Sequence, residues 1–406
     1  MVYSHAVMND QQRFLTWCAE GTLIRPDEAR ASLVDLACAL ADAAGAVTPS
    51  RVTPATRSIA ERIGTPEHLV FVLIDGMGAA LLDGLDPGTF LRTQRADTLT
   101  SVFPSTTASA LTTMATGVWP ASHSVLGWWV YFPDQAVSAT ILPFVERYSE
   151  APLAEFGVTP ELAFPVASMS PGFRSAPVTL LPERIAKSTY SRYHTGGTPV
   201  SGYKEVREGF DAVATRVTAS AAPTFTYLYL PQLDALSHER GPDDAGVGRL
   251  LETLDGECAR LRKQLPHNTR MVIAADHGQT PVLAEREFIV EYDDPLLDLL
   301  RCPPCGEPTV PMFHVTPGEA ERFAEVFRAR FGDVFALLSI DEAEELHLFG
   351  PAPISATARG RAGDFLAIAA EPAVLYHVPQ HGPRVFQPGV HAGLTPREML
   401  IPLVIA

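Results

Sequence analysis

Three continuous apolar runs frame this chain: HLVFVLID at 68–75, TFTYLYL at 224–230 and RMVIAAD at 270–276. A run without polar alternation fits a strand covered on both faces, as in a parallel sheet with helices above and below. Between the second and third runs, Val247, Leu250, Leu251, Leu254, Cys258 and Leu261 recur at helical spacing, so strand, helix and strand follow one another. That alternation predicts an α/β fold around a largely parallel sheet. Upstream, Pro26, Asp27 and Glu28 predict the start of an amphipathic helix running to about Ala44. Two stretches lack the rhythm: 129–223, rich in Pro, Ser and aromatic residues, and 281–361, of mixed pattern. Both read as insertions capping the sheet edge of one domain that spans 1–406.

The strand ends carry the polar residues of interest. Asp75 and Asp276 close two of the runs, and Asp234 follows shortly after the third. Ligands of open α/β sheets bind beyond the carboxyl ends of the strands. Any one such Asp is explained equally well as an ordinary strand-ending residue. Together they are harder to dismiss, because His277 adjoins Asp276 and His238 lies four residues after Asp234, on one face if that turn is helical. His391 sits in a glycine-containing loop, PGVHAGLTP. Carboxylates and imidazoles without thiolates suit zinc or a similar divalent ion. The remaining histidines, His314 and His377 among them, have no such company and receive no role.

A further signal lies in 101–127, SVFPSTTASALTTMATGVWPASHSVLG, where Ser105, Thr106 and Thr107 open an apolar run that stops at Gly117. Hydroxyls at a helix start are commonly caps. They can equally serve as nucleophiles, since a helix N-terminus offers free N–H groups and a positive dipole end to a phosphoryl group. Such a hydroxyl needs a metal or base to activate it, and two ions about 4 Å apart serve both the attacking and the leaving oxygen.

Composition narrows the setting. The 406 residues are 46% hydrophobic and 19% charged, a globular balance, and acidic residues outnumber basic ones by 47 − 31 = 16. So acidic a chain is poorly suited to following a nucleic-acid polymer. No apolar run approaches the ~18 residues of a membrane span. The start, MVYSHAVMNDQQRFLTW, lacks the basic and apolar regions of a secretory signal, so a cytoplasmic protein is expected. Five cysteines make no disulfide framework, and Cys302-x-x-Cys305 lacks the second pair of a zinc site, so no metal or redox role is read there.

With these residues in view, the chain resembles the alkaline phosphatase superfamily and, within it, the nucleotide pyrophosphatase/phosphodiesterase branch. The resemblance rests on LIDGMG around Asp75, FPSTTASALTTMATGVWPASHS around Thr107, LPQLDALSHERGP with Asp234 and His238, AADHGQT with Asp276 and His277, and GVHAGLTPREMLIPL with His391. These islands stand in the family's order. They imply an alkaline phosphatase-like fold, a central mostly parallel sheet flanked by helices, with cap insertions. They imply two divalent ions, Zn2+ first: one on Asp75, Asp276, His277 and the Thr107 oxygen, the other on Asp234, His238 and His391. Thr107, ten residues before Gly117, falls on the nucleophile position, with Thr106 as the alternative. The implied reaction is in-line attack on phosphorus, a covalent phosphothreonine, then hydrolysis by metal-activated water.

Departures and absences refine the expectation. The branch usually carries Pro-Asn shortly after the nucleophile, where this chain has Ser109 and Ala110, so one oxyanion donor is either missing or supplied from elsewhere, such as backbone N–H at the helix start. No arginine lies between Thr98 and Trp128 to clamp a doubly charged monoester, and the C/S-x-P-x-R signature of sulfatases is absent. The expected substrate is therefore a small phosphodiester or nucleotide pyrophosphate. The alternatives are a phosphomonoesterase or phosphonate (C–P) hydrolase on the same fold, or a metal-bearing binding protein without catalysis. Trp128, Trp129, Tyr131 and Phe132 are candidates for stacking on the ester's other arm, though such a cluster is more often packed core. Lys187 or Lys204 are candidates for a substrate carboxylate, as in the related phosphonoacetate hydrolases.

Overall fold

The computed structural model describes residues 9–26, 30–46 and 52–406. Seven strands form the main sheet: β1 (His68–Ile74), β2 (Arg95–Thr100), β3 (Ala176–Pro182), β4 (Val200–Tyr203), β5 (Thr224–Leu230), β6 (Thr269–Ala274) and β7 (Leu400–Ile405). Their order is β2-β7-β6-β1-β5-β3-β4. β1 lies at the centre with all seven residues buried, and pairs in parallel with both β5 and β6. Only β7 runs against its neighbours, β2 and β6. The register sets Ile74 beside Leu230 and Leu73 beside Ala274, so the segments leaving β1, β5 and β6 emerge together at one edge. The three apolar runs of the sequence are these strands.

Helices flank the sheet and share its core. Ala245–Gln264 buries Val247, Leu251, Leu254, Cys258 and Leu261, as the spacing predicted, with Leu250 at the margin. The first long core helix begins later than expected, at Leu33, because Ser32 and Asp35 cap each other's backbone. Asp27 and Glu28, where the helix start was expected, lie outside the described residues. No helix among the described residues is long and apolar enough to cross a membrane.

A second, antiparallel sheet gathers Phe335–Ser339, Phe365–Ala369, Val310–Phe313, Cys305–Glu307, Trp129–Phe132, Val137–Thr140 and Val145–Glu146, in that order. The two irregular stretches therefore meet: Trp129 pairs with Gly306. Their expected boundaries need correction. The stretch 129–223 returns to the main sheet as β3 and β4, and 281–361 stops short of Phe365–Ala369, a strand of the second sheet. The prolines that made β3 look irregular occupy its second and last positions, Pro177 and Pro182, where a strand tolerates them best.

The glycines of the strand-end motifs are packing requirements. A Cβ on Gly278 would meet the Arg397 carbonyl oxygen at 2.0 Å and the Gly78 Cα at 2.8 Å. Replacing Gly278 with Ala is expected to destabilise the protein by about 1–3 kcal/mol through overpacking. A urea titration should show this as a lower midpoint with an unchanged slope.

Candidate active site

The segment after β1 turns sharply at Gly76, whose φ of +73° favours glycine. A Cβ there would come within 3.1 Å of the Asp234 Cα, so the turn also lets two carboxylate-bearing segments approach. Asp75, Asp276 and His277 are fully buried at this edge. Asp276 Oδ1 accepts from the N–H of Gly76 at 3.2 Å and of His277 at 3.0 Å. Asp75 Oδ2 accepts from the Tyr229 hydroxyl. The other oxygens, Asp75 Oδ1 and Asp276 Oδ2, have no hydrogen-bond partner among the described residues and lie 3.5 Å and 3.4 Å from His277 Nε2.

Asp234 is in the first turn of the helix Gln232–Arg240, with His238 one turn on, so both project from one face as their spacing predicted. Asp234 Oδ1 receives the Gln279 side-chain amide and stands 3.5 Å from His238 Nε2 and 3.9 Å from His391 Nε2. The His391 ring stacks on that of His277 with centroids 3.9 Å apart. Carbonyl partners orient two of the rings: His277 Nδ1 lies 3.0 Å from the Gly278 oxygen and His238 Nδ1 2.8 Å from the Gly389 oxygen. Each contact leaves Nε2 as the ring atom that faces the carboxylates.

Two compact sets of ligand atoms result: Asp75, Asp276 and His277, and Asp234, His277 and His391. The first matches the grouping expected from the sequence. In the second, His277 joins Asp234 and His391, while His238 attaches through its contact with Asp234. Burial pushes the Asp75 carboxyl well above its ordinary range, and the charges of Asp276 and Asp234 push it further. Asp276 is also raised, chiefly by burial. Burial and the neighbouring His277 and His238 hold His391 well below the usual imidazole range. Crowded carboxylates with undonated oxygens, facing imidazoles, form an environment that divalent cations satisfy and that is costly without them.

Thr107 is the first residue of the helix Thr107–Thr116, and its Oγ1 lies 3.1 Å from His277 Nε2. Thr106, one residue earlier, turns its hydroxyl away to donate to Glu307 Oε1 at 2.5 Å, and the Trp128 N–H donates to the same oxygen at 2.7 Å. Ser105 ties this loop to the His391 loop through the Gly393 carbonyl, at 2.7 Å. Ser109 spends its hydroxyl on the Val125 carbonyl and Ala110 is fully buried, so neither presents a side-chain donor.

A cavity of about 480 Å³ opens over Thr107, Asp234, His238 and His391. Trp128 and Trp129 line it as expected, whereas Tyr131 and Phe132 are buried in the second sheet. Lys187 and Lys204 are exposed and line no part of it. Sequence reasoning missed Glu307, Gln279 and Tyr229, and also Tyr376 and His377, which form part of the cavity wall. The wall carries no lysine or arginine.

Known protein families and folds resemble this chain. The family model "Type I phosphodiesterase / nucleotide pyrophosphatase" matches residues 69–391. No curated protein sequence matches significantly. Among solved structures, the chain is similar to human ectonucleotide pyrophosphatase/phosphodiesterase 5, at 16% identity and a TM-score of 0.62 over 83% of this chain and 87% of that one. It is similar to the murine protein of the same name at 18% identity and a TM-score of 0.61, covering 82% and 87%. Phosphonoacetate hydrolase from Sinorhizobium meliloti 1021, solved with phosphonoformate, matches at 18% identity and 0.60, covering 84% and 90%.

Glu307 gives the site a pH signature of its own. Burial raises its carboxyl to about 7, against the hydrogen bonds from Thr106 and Trp128. A carboxyl raised in the folded state binds a proton there that the unfolded chain has already lost, so stability falls as pH rises from about 4.5 towards 7. The loss amounts to roughly 3 kcal/mol at one pKa unit per 1.36 kcal/mol. Glu307→Gln should flatten this part of the stability–pH curve of metal-free protein, measured by urea unfolding at a series of pH values.

Proposed function

Because the chain belongs to the type I phosphodiesterase/nucleotide pyrophosphatase family, we propose that it hydrolyses small phosphodiesters or nucleotide pyrophosphates with Thr107 as nucleophile and two divalent ions, zinc first. The observation that carries this reading is the position of Thr107 Oγ1, at a helix start and 3.1 Å from an imidazole nitrogen that also faces Asp75 and Asp276. Thr106 is disfavoured because its hydroxyl is engaged by Glu307. A murine relative described as inactive, with alanine in place of a threonine, was solved with AMP, which is consistent with a threonine nucleophile and a nucleotide-type ligand.

One ion would be held by Asp75, Asp276 and His277, the other by Asp234 and His391 with His238 beside them. Such ions stabilise negative charge on phosphorus-bound oxygens and favour the ionised form of a hydroxyl. The donor set of carboxylate and imidazole, without sulfur, supports zinc. Within that frame the chain's own groups do the following. Thr107 Oγ1 attacks phosphorus and gives up its proton, the bond to the departing alcohol or phosphate oxygen breaks, and that oxygen is protonated as it leaves. Water then cleaves the threonine–phosphate bond and restores the hydroxyl. The first-turn N–H groups of the Thr107–Thr116 helix, which have no intrahelical acceptors, face the anionic oxygens in place of the family's asparagine.

A cavity wall that holds carboxylates but no lysine or arginine among the described residues favours a singly charged diester over a monoester. It also weighs against a substrate with an added carboxylate, so C–P hydrolysis of phosphonoacetate ranks second even though the fold is shared with such an enzyme. Turnover of bis-p-nitrophenyl phosphate is expected to exceed that of p-nitrophenyl phosphate and of phosphonoacetate, and preference for either of the latter would move the assignment. Thr107→Ala should cut diester turnover by about a thousand-fold or more, whereas Thr106→Ala should retain most of it. Chelation should abolish activity, and metal analysis of the reloaded protein should show which ion restores it.

A further inference from the structure

The pair Cys302 and Cys305, unremarkable as a sequence motif, acquires a partner in the fold. Cys305 opens the strand Cys305–Glu307, which pairs antiparallel with Val310–Phe313, and His314 follows directly on that second strand. The hairpin folds His314 back onto the cysteine loop. One ligand atom from each of Cys302, Cys305 and His314 lies within 4.8 Å of the others. The two sulfurs are 3.9 Å apart. Two thiolates about 2.3 Å from one tetrahedral zinc ion are separated by nearly this distance.

His314 is the second observation. It is fully buried, and neither ring nitrogen has a hydrogen-bond partner of ordinary geometry among the described residues. A buried imidazole left this way is costly, and a metal bond is one of the few ways to satisfy it. Burial pushes it down to about 3, with Arg301 adding to the shift and the Arg361 backbone opposing it, so the ring is neutral and ready to ligate. The Tyr131 ring packs against it at 4.6 Å between centroids and holds its plane. Arg147, hydrogen-bonded to the Pro304 carbonyl at 2.6 Å, places a positive charge beside the loop. The two thiols shift in opposite directions through the hydrogen bond they share: Cys305 is lowered, with the Arg147 charge contributing, and Cys302 is raised, with burial adding to it, so without a metal they hold a proton between them.

We propose that Cys302, Cys305 and His314 form a zinc site separate from the two-ion centre, with water at the fourth position beside the partly exposed Cys302. Binding releases the two thiol protons to solvent and leaves a neutral zinc–dithiolate–imidazole unit. The ion joins the Cys302 loop to the hairpin whose strand carries Glu307 to Thr106 and Trp128, so it braces the cavity wall from behind. It differs from the two-ion centre in its sulfur ligands, and this makes the two separable by experiment.

The test is cobalt titration of the full-length, reduced, metal-free protein, followed by ultraviolet thiolate-to-cobalt charge-transfer absorption, with zinc content by mass spectrometry alongside. The expected result is a charge-transfer band that saturates at one equivalent, is lost in Cys302→Ser and persists in Asp234→Ala. Zinc content should fall by one equivalent in Cys302→Ser. Absence of the band in the reduced wild type, or a band unchanged by Cys302→Ser, would overturn the site. So would a Cys302–Cys305 disulfide in the isolated protein that, once reduced, takes up no cobalt. The oxygen and nitrogen ligands of the two-ion centre cannot give this band, so failure of the hydrolase reading would leave the result unaffected. The wild-type titration needs no variant, so a poorly folding mutant does not block the test.

Discussion

Buried negative charge at the carboxyl edge of the main sheet is the constraint around which the rest is arranged. Asp75 and Asp276 sit without solvent, Asp234 nearly so, and two of their oxygens receive no donor. Among the described residues, no lysine or arginine lines the cavity in front of them to offset this charge. A protein that keeps such a cluster pays in stability unless cations occupy it, and that cost is a mark of function more than of folding. The surrounding groups steady the ligands instead of neutralising them. Tyr229 holds one oxygen of Asp75, Gln279 holds Asp234, and the carbonyls of Gly278 and Gly389 fix the tautomers of His277 and His238.

The sheet explains why these groups can meet. Parallel pairing of β1 with β5 and β6 brings three chain segments, far apart in sequence, out at one edge. Small residues then let the segments crowd together: Gly76 against Asp234, and Gly278 against Gly78 and the Arg397 carbonyl. The glycines of the strand-end motifs thus shape the site, since a Cβ on Gly76 would press on Asp234 and one on Gly278 would push apart the Gly78 and Arg397 backbones.

Much of this was legible because strand ends and metal-type side chains are local signals. A continuous apolar run announces a buried strand, and an Asp or His directly after it needs no tertiary information to be placed at the edge. Glu307 had no such signal. It lies on a three-residue strand among Gly and Pro, and only the pairing of Gly306 with Trp129 brings it to Thr106. Tyr376 and His377 reach the cavity through the parallel pairing of Val374–Val378 with Glu287–Glu291, another long-range contact. The same holds for β3, whose prolines lie near its ends, and for the four-residue β4, both hidden inside a stretch that reads as insertion. His314 shows the limit most plainly: its separation from Cys302 and Cys305 in the chain matched no familiar zinc spacing, yet one hairpin closes the gap.

The missing asparagine is best understood from the same geometry. Ser109 and Ala110 face inward, one bonded to the Val125 carbonyl and the other packed in the core, so side chains at these positions support the helix rather than the substrate. Under the proposed function, the group left to meet a phosphoryl oxygen is the helix start itself, whose first-turn N–H groups have no intrahelical carbonyl before them. Glu307 contributes to that availability from the opposite side. By accepting both the Thr106 hydroxyl and the Trp128 N–H, it fixes the residue that precedes the helix and the tryptophan at the cavity wall. A carboxylate of the second sheet thus steadies the loop and helix start at the main sheet's edge, which in the proposed reaction stand in for the absent asparagine.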